Sequence, residues 1–250
     1  MNFIVINARK VLPWAALVMI IPIMCLWLGK SSAVYKVNGR EIPIYSVERD
    51  DNKIALTFDC AWNDDDVDQI LDTLDLYNCR ATFFVVGDWA QKYPSSLQKI
   101  YQRGHEIGTH SYNHKDYTKL SRQELDEDME LCDSVVEEII GIRPKLFRAP
   151  SGGYNDSVIE VCEARGNTYI QWSVDSIDYN DASQKEIYER VVPKTKAGDI
   201  ILMHNGTANT ANILPQILAE LSKNYSFSTV SDMIYTDNYR IDHTGRQFAQ

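Results

Sequence analysis

The order of apolar and amphipathic segments after residue 50 constrains the fold of this chain more than any other feature. A short apolar run at 54–58 predicts a buried strand, and the segment 64–77 predicts a helix that begins with acidic residues. The apolar residues that recur at helical spacing in that segment are Val67, Ile70, Leu71 and Leu74. Short apolar strands that alternate with amphipathic helices are typical of an α/β fold with parallel strands.

The rest of the chain repeats this alternation. Strands are predicted at 81–86, 169–172 and 200–203, and helices over 94–104, 121–141, 158–166, 187–191 and 213–221. The helix over 121–141 has the clearest end signals, since Ser121 and Glu124 form a capping box and Gly141 is a typical C-terminal residue. Periodicity alone does not distinguish an open, doubly wound sheet from a closed barrel.

Two histidines, His110 and His114, are four residues apart. On a helix or a tight turn this spacing puts both imidazoles on one face, where they could ligate a divalent metal. The pair alone is weak evidence, because surface or core histidines without a metal show the same spacing.

Four further motifs accompany the histidine pair. In chain order the five motifs are Thr57-Phe58-Asp59, His110 to His114, Arg148-Ala149-Pro150-Ser151-Gly152, Asp175-Ser176-Ile177-Asp178 and Leu202-Met203-His204. Their order and spacing resemble those of the polysaccharide deacetylases, the superfamily of chitin and nodulation deacetylases. The resemblance spans residues 53–235, and residues 42–48 resemble the lead-in of the sporulation-associated subgroup. It implies an irregular (β/α) barrel of about seven strands, with the catalytic residues near the C-terminal strand ends.

Removing an acetyl group from an N-acetyl sugar requires an activated water, a stabilised oxyanion and a proton for the leaving amine. A divalent metal on His110 and His114, for which we expect zinc, would polarise the carbonyl and acidify the bound water. Asp59 is the predicted general base. His204 is the predicted general acid, because an imidazole that titrates near neutrality can protonate the departing nitrogen.

The resemblance assigns supporting roles to further residues. Arg148 is expected to hold the carboxylate of Asp59, and Asp178 to orient His204 and raise its pKa. The alternative interpretations are a surface ion-pair residue at 148 and a turn residue at 178. Substrate contacts are expected from Pro150, Tyr179 and Leu202, of which Leu202 matches the position that lines the acetyl pocket in the family.

Two positions depart from the family's pattern. A carboxylate usually follows the base directly and serves as the third metal ligand, and here that position is Cys60. The fourth motif usually ends in tryptophan, and here it ends in Tyr179. Two interpretations of Cys60 stay open, in which its thiolate ligates the metal or its side chain only packs beside it.

Residues 11–28 are an uncharged apolar run preceded by Arg9 and Lys10. Such a run can span a bilayer as a helix, and the basic flank predicts a cytoplasmic N-terminus, 1–10, with the catalytic domain outside the membrane. We expect an uncleaved anchor, and the alternative is a signal peptide cleaved near Ala33 and a secreted protein. The other predicted divisions are a linker and lead-in at 29–50, a deacetylase domain at 51–236 and a polar tail at 237–250.

The net charge and the cysteine content limit which partners and which cysteine chemistry are expected. The net charge of −10 argues against nucleic acid as a partner. The expected partners are an N-acetylated polysaccharide, such as peptidoglycan or a chitin-like glycan, and the membrane. Cys132 and Cys162 lie on apolar helix faces, so buried free thiols are expected there rather than disulfides.

The sequence thus predicts a metal-dependent hydrolase of carbon–nitrogen bonds that deacetylates N-acetylglucosamine or N-acetylmuramic acid units. The expected substrate is peptidoglycan of the cell wall or spore cortex, or a related polysaccharide. One alternative is a weakly active or inactive homologue that binds glycan during wall assembly, because Cys60 replaces a usual ligand. The other is an esterase of O-acetylated sugars, which would use the same machinery on an easier acyl group.

Overall fold

The alternation of strands and helices is present in the computed structural model, which describes residues 42–250. The strands are β1 (Ser46–Val47), β2 (Lys53–Cys60), β3 (Thr82–Val85), β4 (Glu106–Thr109), β5 (Leu146–Phe147), β6 (Thr168–Tyr169), β7 (Val174–Asp175), β8 (Ile200–His204), β9 (Ser226–Ser228), β10 (Tyr239–Ile241) and β11 (Arg246–Ala249). The helices are α1 (Val67–Leu76), α2 (Gly87–Lys92), α3 (Pro94–Gln102), α4 (Arg122–Ile140), α5 (Asp156–Ala164), α6 (Gln184–Val191), α7 (Thr210–Leu221) and α8 (Val230–Met233). Two 3-10 turns lie at Tyr117–Lys119 and Pro150–Gly152.

Seven parallel strands form the main sheet in the order β6-β5-β4-β3-β2-β8-β7, and β9 pairs with the first residues of β2. The edge strands β6 and β7 do not pair with each other within residues 42–250, so the sheet forms a half-barrel. The prediction of a parallel α/β fold with about seven strands is confirmed. The expected barrel is open on one side.

Strand β2 lies inside the sheet and separates the apolar core from the site. Because side chains alternate along a strand, every second residue from Ile54 to Cys60 faces the helices. These residues pack in one apolar cluster with the buried side chains of α1 and α7. Thr57 and Asp59 face the other side of the sheet, where both contact Arg148.

Helix α4 has the ends that its sequence predicts. The hydroxyl of Ser121 accepts from the backbone N of Glu124, whose side chain accepts from the backbone N of Ser121, and Gly141 ends the helix with a left-handed φ of 74°. All four described cysteines are buried and unpaired, which confirms the expectation for Cys132 and Cys162.

The short elements are the ones that the sequence did not predict. Strands β5 and β7 have two residues each, too few for a periodicity. Strand β4 contains Gly108, where an added Cβ would lie 2.6 Å from the ring of Phe84, so this strand needs a residue that is rare in strands. The strand predicted at 169–172 is shorter than expected and lies at Thr168–Tyr169, and the next residue, Ile170, forms an isolated parallel bridge with Ile44.

The segment predicted as a polar tail, 237–250, is folded. Strands β10 and β11 form an antiparallel hairpin, and β11 pairs in parallel with β1, so the two ends of the described chain share a small sheet. The side chain of Gln247, which is fully buried, exchanges two hydrogen bonds with the backbone of Tyr235. The polar tail thus folds as a hairpin against β1, and the predicted domain boundary at 236 stays a prediction.

The predicted membrane segment, 11–28, lies outside the described residues. Among residues 42–250, no helix has the length and apolar character needed to span a bilayer.

Candidate active site

The predicted catalytic residues lie at the C-terminal ends of neighbouring parallel strands. Asp59 is the penultimate residue of β2, and its register partner is His204, the last residue of β8. His110 and Arg148 directly follow β4 and β5. Because the carboxyl ends of parallel strands meet at one edge of a sheet, these four residues share one site.

Asp59 and Arg148 form a buried ion pair. Nη1 of Arg148 donates to Oδ1 of Asp59 at 2.7 Å and to Oγ1 of Thr57 at 2.9 Å, and Nη2 donates to the carbonyl oxygen of Gln171 at 3.1 Å. Burial works to raise the pKa of Asp59, but the neighbouring cationic groups, of which Arg148 has the largest effect, together outweigh burial and hold the pKa below its ordinary value. Asp59 therefore stays ionised, as a general base requires. Arg148 is 0% exposed, so the surface ion-pair interpretation is wrong.

His204 and Asp178 form the second buried pair. Nδ1 of His204 lies 2.7 Å from Oδ1 of Asp178, and Oδ2 accepts from the backbone N of His204 at 2.8 Å and from the hydroxyl of Thr210 at 2.5 Å. Burial works to lower the pKa of His204, but the hydrogen bond and charge of Asp178 outweigh it and raise the pKa above its ordinary value. Because Nδ1 is engaged by Asp178, Nε2 is the ring nitrogen left for a substrate.

His110 and His114 lie on a turn, with ring centroids 5.1 Å apart. Left-handed backbone at Ser111 and His114 builds this turn, and Oγ of Ser111 accepts from the backbone N of His114 at 2.8 Å. Nδ1 of His110 lies 2.9 Å from the carbonyl oxygen of Arg148. A carbonyl oxygen only accepts, so Nδ1 carries the proton and Nε2 keeps its electron pair for a ligand.

The surroundings of His110 fit a bound cation. Its Nε2 lies 3.4 Å from Oδ2 of Asp59. Burial lowers the pKa of His110 to about 4, so the ring is neutral near pH 7 and two electron-pair donors face each other. Within residues 42–250, no three His, Cys, Asp or Glu side chains are placed to share a metal ion. The site thus offers two imidazoles, and further coordination positions would fall to water or substrate.

The residues expected to contact substrate lie at different depths. Leu202 is buried on β8, on the same face of the strand as His204 two residues later. Tyr179 is 50% exposed, and its ring centroid lies 5.2 Å from that of His204. Pro150 is buried at the start of the 3-10 turn that follows Arg148.

The sequence analysis missed the acidic residue that supports the histidine turn. Asp128 on α4 is buried, and its Oδ1 accepts from the backbone N of Tyr112 and from the hydroxyl of Tyr117, both at 2.7 Å. Its position directly before Met129, on the apolar face of a helix that otherwise buries Leu125 and Cys132, is the signal that could have identified it.

Cys60 lies in the apolar cluster on the helix side of the sheet, on the opposite face of β2 from Asp59. It is fully buried, and burial raises the pKa of its thiol well above the ordinary value. Its side chain therefore packs among apolar neighbours on the face of β2 opposite the proposed base. Of the two interpretations of Cys60, the structure favours packing.

We therefore expect Cys60→Ala to leave zinc affinity within about threefold of wild type, well below the ~10 to 100-fold losses seen when residues that support a metal ligand are changed. Cys60→Asp should bury a carboxylate among apolar side chains and lower the free energy of unfolding by about 3 kcal/mol. Calorimetric zinc titration and urea unfolding measure the two effects.

Cys79 provides the matched control, because it is a fully buried cysteine of the same apolar cluster. Cys79→Ala and Cys79→Asp should resemble the Cys60 variants in both measurements. Tighter zinc binding in Cys60→Asp, but not in Cys79→Asp, would show that position 60 faces the metal.

The chain is similar in sequence to known deacetylases. Residues 46–170 match the family model described as polysaccharide deacetylase. The chain is 34% identical over 196 residues to a peptidoglycan-N-acetylglucosamine deacetylase of Bacillus cereus, covering 76% of this chain and 92% of that protein. It is 35% identical over 189 residues to the peptidoglycan-N-acetylmuramic acid deacetylase PdaC of Bacillus subtilis, covering 75% of this chain but only 40% of PdaC.

One similar solved structure is BA3943 from Bacillus anthracis, described as a CE4 family pseudoenzyme. Its TM-score is 0.75 at 26% identity, over 84% of this chain and 73% of that one. A mutant of BA3943 described as having restored enzymatic activity has a TM-score of 0.74 at 28% identity, over 77% of this chain and 71% of that one. The fold therefore occurs both in named deacetylases and in a protein described as a pseudoenzyme.

Proposed function

Since the chain belongs to the polysaccharide deacetylase family, we propose that it hydrolyses the N-acetyl group of amino sugars in peptidoglycan or a related polysaccharide. One observation carries the proposal: an ionised Asp59 and a His204 with a raised pKa lie opposite each other on paired strands beside two imidazoles. The names of the similar Bacillus proteins support peptidoglycan as the substrate class.

The two buried pairs divide the proton transfers between them. Asp59, held by Arg148, accepts the proton of the attacking water. His204, held by Asp178, delivers a proton through Nε2 to the nitrogen that leaves as an amine. Leu202, beneath His204 on the same strand face, provides an apolar contact for the acetyl methyl group.

We further propose that His110 and His114 hold a divalent metal, with zinc as the expected ion. When bound there, the metal would polarise the amide carbonyl and lower the pKa of a bound water. The hydrogen bond from Nδ1 of His110 to the carbonyl oxygen of Arg148 fixes the imidazole in the orientation that a ligand needs. Arg148 thus positions the proposed base, Asp59, through its side chain and the proposed metal ligand His110 through its backbone carbonyl group.

A second candidate function is glycan binding with weak or no catalysis. Cys60, which lies away from the imidazoles, and the similarity to BA3943 favour it.

The proposed location outside the membrane rests on residues 9–28, beyond the described part of the chain, and protease treatment of intact cells tests it.

Acetate release distinguishes these functions. The full chain, incubated with peptidoglycan fragments or with the N-acetylglucosamine tetramer, should release acetate. A chelator should lower the rate by at least about 100-fold, because the metal's contribution amounts to several kcal/mol, and added zinc should restore it. Tetramer binding without acetate release, with or without zinc, would support the glycan-binding function. Release that the chelator leaves unchanged would contradict the metal proposal.

A further inference from the structure

An exposed tryptophan lies beside the proposed acid. Trp62 follows β2 by two residues and is 49% exposed, although tryptophan is usually largely buried. Its ring centroid lies 5.4 Å from that of His204, and the ring of Tyr179, also half-exposed, contacts the same imidazole at 5.2 Å. Two half-exposed aromatic rings from different loops therefore flank one catalytic group.

The loop that carries Trp62 is fixed by hydrogen bonds. The carbonyl oxygen of Asn63, the next residue, accepts from Nε1 of Trp89 at 3.0 Å and from Nδ2 of Asn205 at 2.5 Å. Asn205 directly follows His204, so one of these bonds ties the Trp62 loop to the strand that carries the acid. An exposed ring on a fixed loop loses little conformational freedom when a ligand packs against it.

Both rings line a cleft of about 320 Å³. Besides Trp62 and Tyr179, it is lined by the exposed side chain of Asp181 and by Thr207. This volume is near the lower end of the range for small-molecule sites, and aromatic walls with a few polar groups are the usual lining of such sites. A pyranose ring matches this lining, because it has C–H groups on its faces and hydroxyls at its edge.

We propose that Trp62 is a specificity-determining residue, whose indole forms a platform for the sugar ring next to the one that is deacetylated. The inference rests on the proposed function and adds to it, because it makes glycan length a determinant of binding. Tyr179 forms the opposite wall of the same subsite, and Asp181 accepts hydrogen bonds from sugar hydroxyls.

The test compares Trp62→Ala with wild type on the N-acetylglucosamine tetramer and on the single sugar. The KM for the tetramer should rise about tenfold, as loss of an aromatic contact would cause, and the KM for the single sugar should change less. Trp62→Phe keeps a flat ring and should stay within about threefold of wild type. Leu131→Ala removes an equally exposed side chain from α4 and serves as the control.

The outcomes separate this inference from the proposed function. If wild type releases acetate but Trp62→Ala has an unchanged KM for the tetramer, the inference fails and the proposed function stands. An altered pH profile with unchanged KM would also overturn it, because Trp62 would then act through His204. If wild type releases no acetate, calorimetric binding of the tetramer decides. Weaker binding in Trp62→Ala supports the inference, and equal binding or none contradicts it.

Discussion

Asp59→Asn and His204→Ala should each lower the rate of acetate release from the N-acetylglucosamine tetramer by roughly 100-fold or more, because each removes one positioned proton-transfer group. The amide in Asp59→Asn would keep the shape of the base without its charge, and His204→Ala would leave the departing nitrogen without a proton donor. Initial rates at saturating tetramer measure the loss. Near-unchanged rates in both folded variants would exclude the proposed roles.

His243→Ala is the matched control for His204→Ala, because His243 is an exposed histidine on the C-terminal hairpin. It should retain the wild-type rate. Circular dichroism of all variants checks that the fold is intact. A large loss in His243→Ala would show that the assay reports on something other than the site.

The pH dependence of the wild-type rate provides a second check of the same roles. An acid must be protonated to act, so activity should persist as the pH rises and fall only as the pH passes the pKa of His204. Asp178 raises that pKa, so this decline should lie above pH ~6.5, the ordinary value for a histidine. A decline centred below that pH would mean that Asp178 does not control the acid.

The sequence predicted the positions of the motif residues at strand ends better than it predicted the short strands of the sheet. Asp59 and His204 were identified by their motifs, and the runs that carry them, β2 and β8, were long enough to show as strands. Parallel pairing of these two strands then places both residues at one edge. Strands β5 and β7 are not predicted, because a strand of two residues is too short to show an alternation of apolar and polar side chains. This holds even for β5, which Arg148 directly follows.

Two further features of the site are visible in the sequence pattern. The alternation of Ile54, Leu56, Phe58 and Cys60 against Thr57 and Asp59 already assigned Cys60 to the helix side of β2. Asp128 shares a helix face with apolar residues, which marks a buried acid with partners. In contrast, the position of Trp62 beside His204 depends on how the loop after β2 packs against the end of β8 in the folded chain, and no local pattern predicts it.

Replacement of Arg148 by methionine should have the largest effect on stability. Arg148 is fully buried, with its guanidinium 4.0 Å from the centre of the Phe84 ring, and it donates to Asp59 at 2.7 Å. Without it, Asp59 would be a buried charge that lacks its main partner, which typically costs ~3 to 5 kcal/mol. Urea unfolding of wild type and Arg148→Met at pH 7 should show this loss.

The sign of the pH effect follows from the pKa of Asp59. In wild type that pKa lies below its unfolded value of ~3.9, so the pair contributes stability above that pH and loses it as the pH falls through the folded pKa. In Arg148→Met, burial should raise the pKa above the unfolded value. Protonation of Asp59 would then remove the unpaired buried charge. The loss in free energy of unfolding relative to wild type should therefore be smaller at pH 4 than at pH 7.

Two further variants separate loss of the pair from loss of an arginine. Arg122→Met breaks the ion pair with Glu160, whose side chains are 63% and 44% exposed, and should cost less than ~1 kcal/mol, as exposed pairs do. Asp59→Asn combined with Arg148→Met leaves neither charge buried and should recover part of the stability that Arg148→Met loses. Equal losses in Arg122→Met and Arg148→Met, or no recovery in the double variant, would show that burial of this pair does not determine the stability of the site.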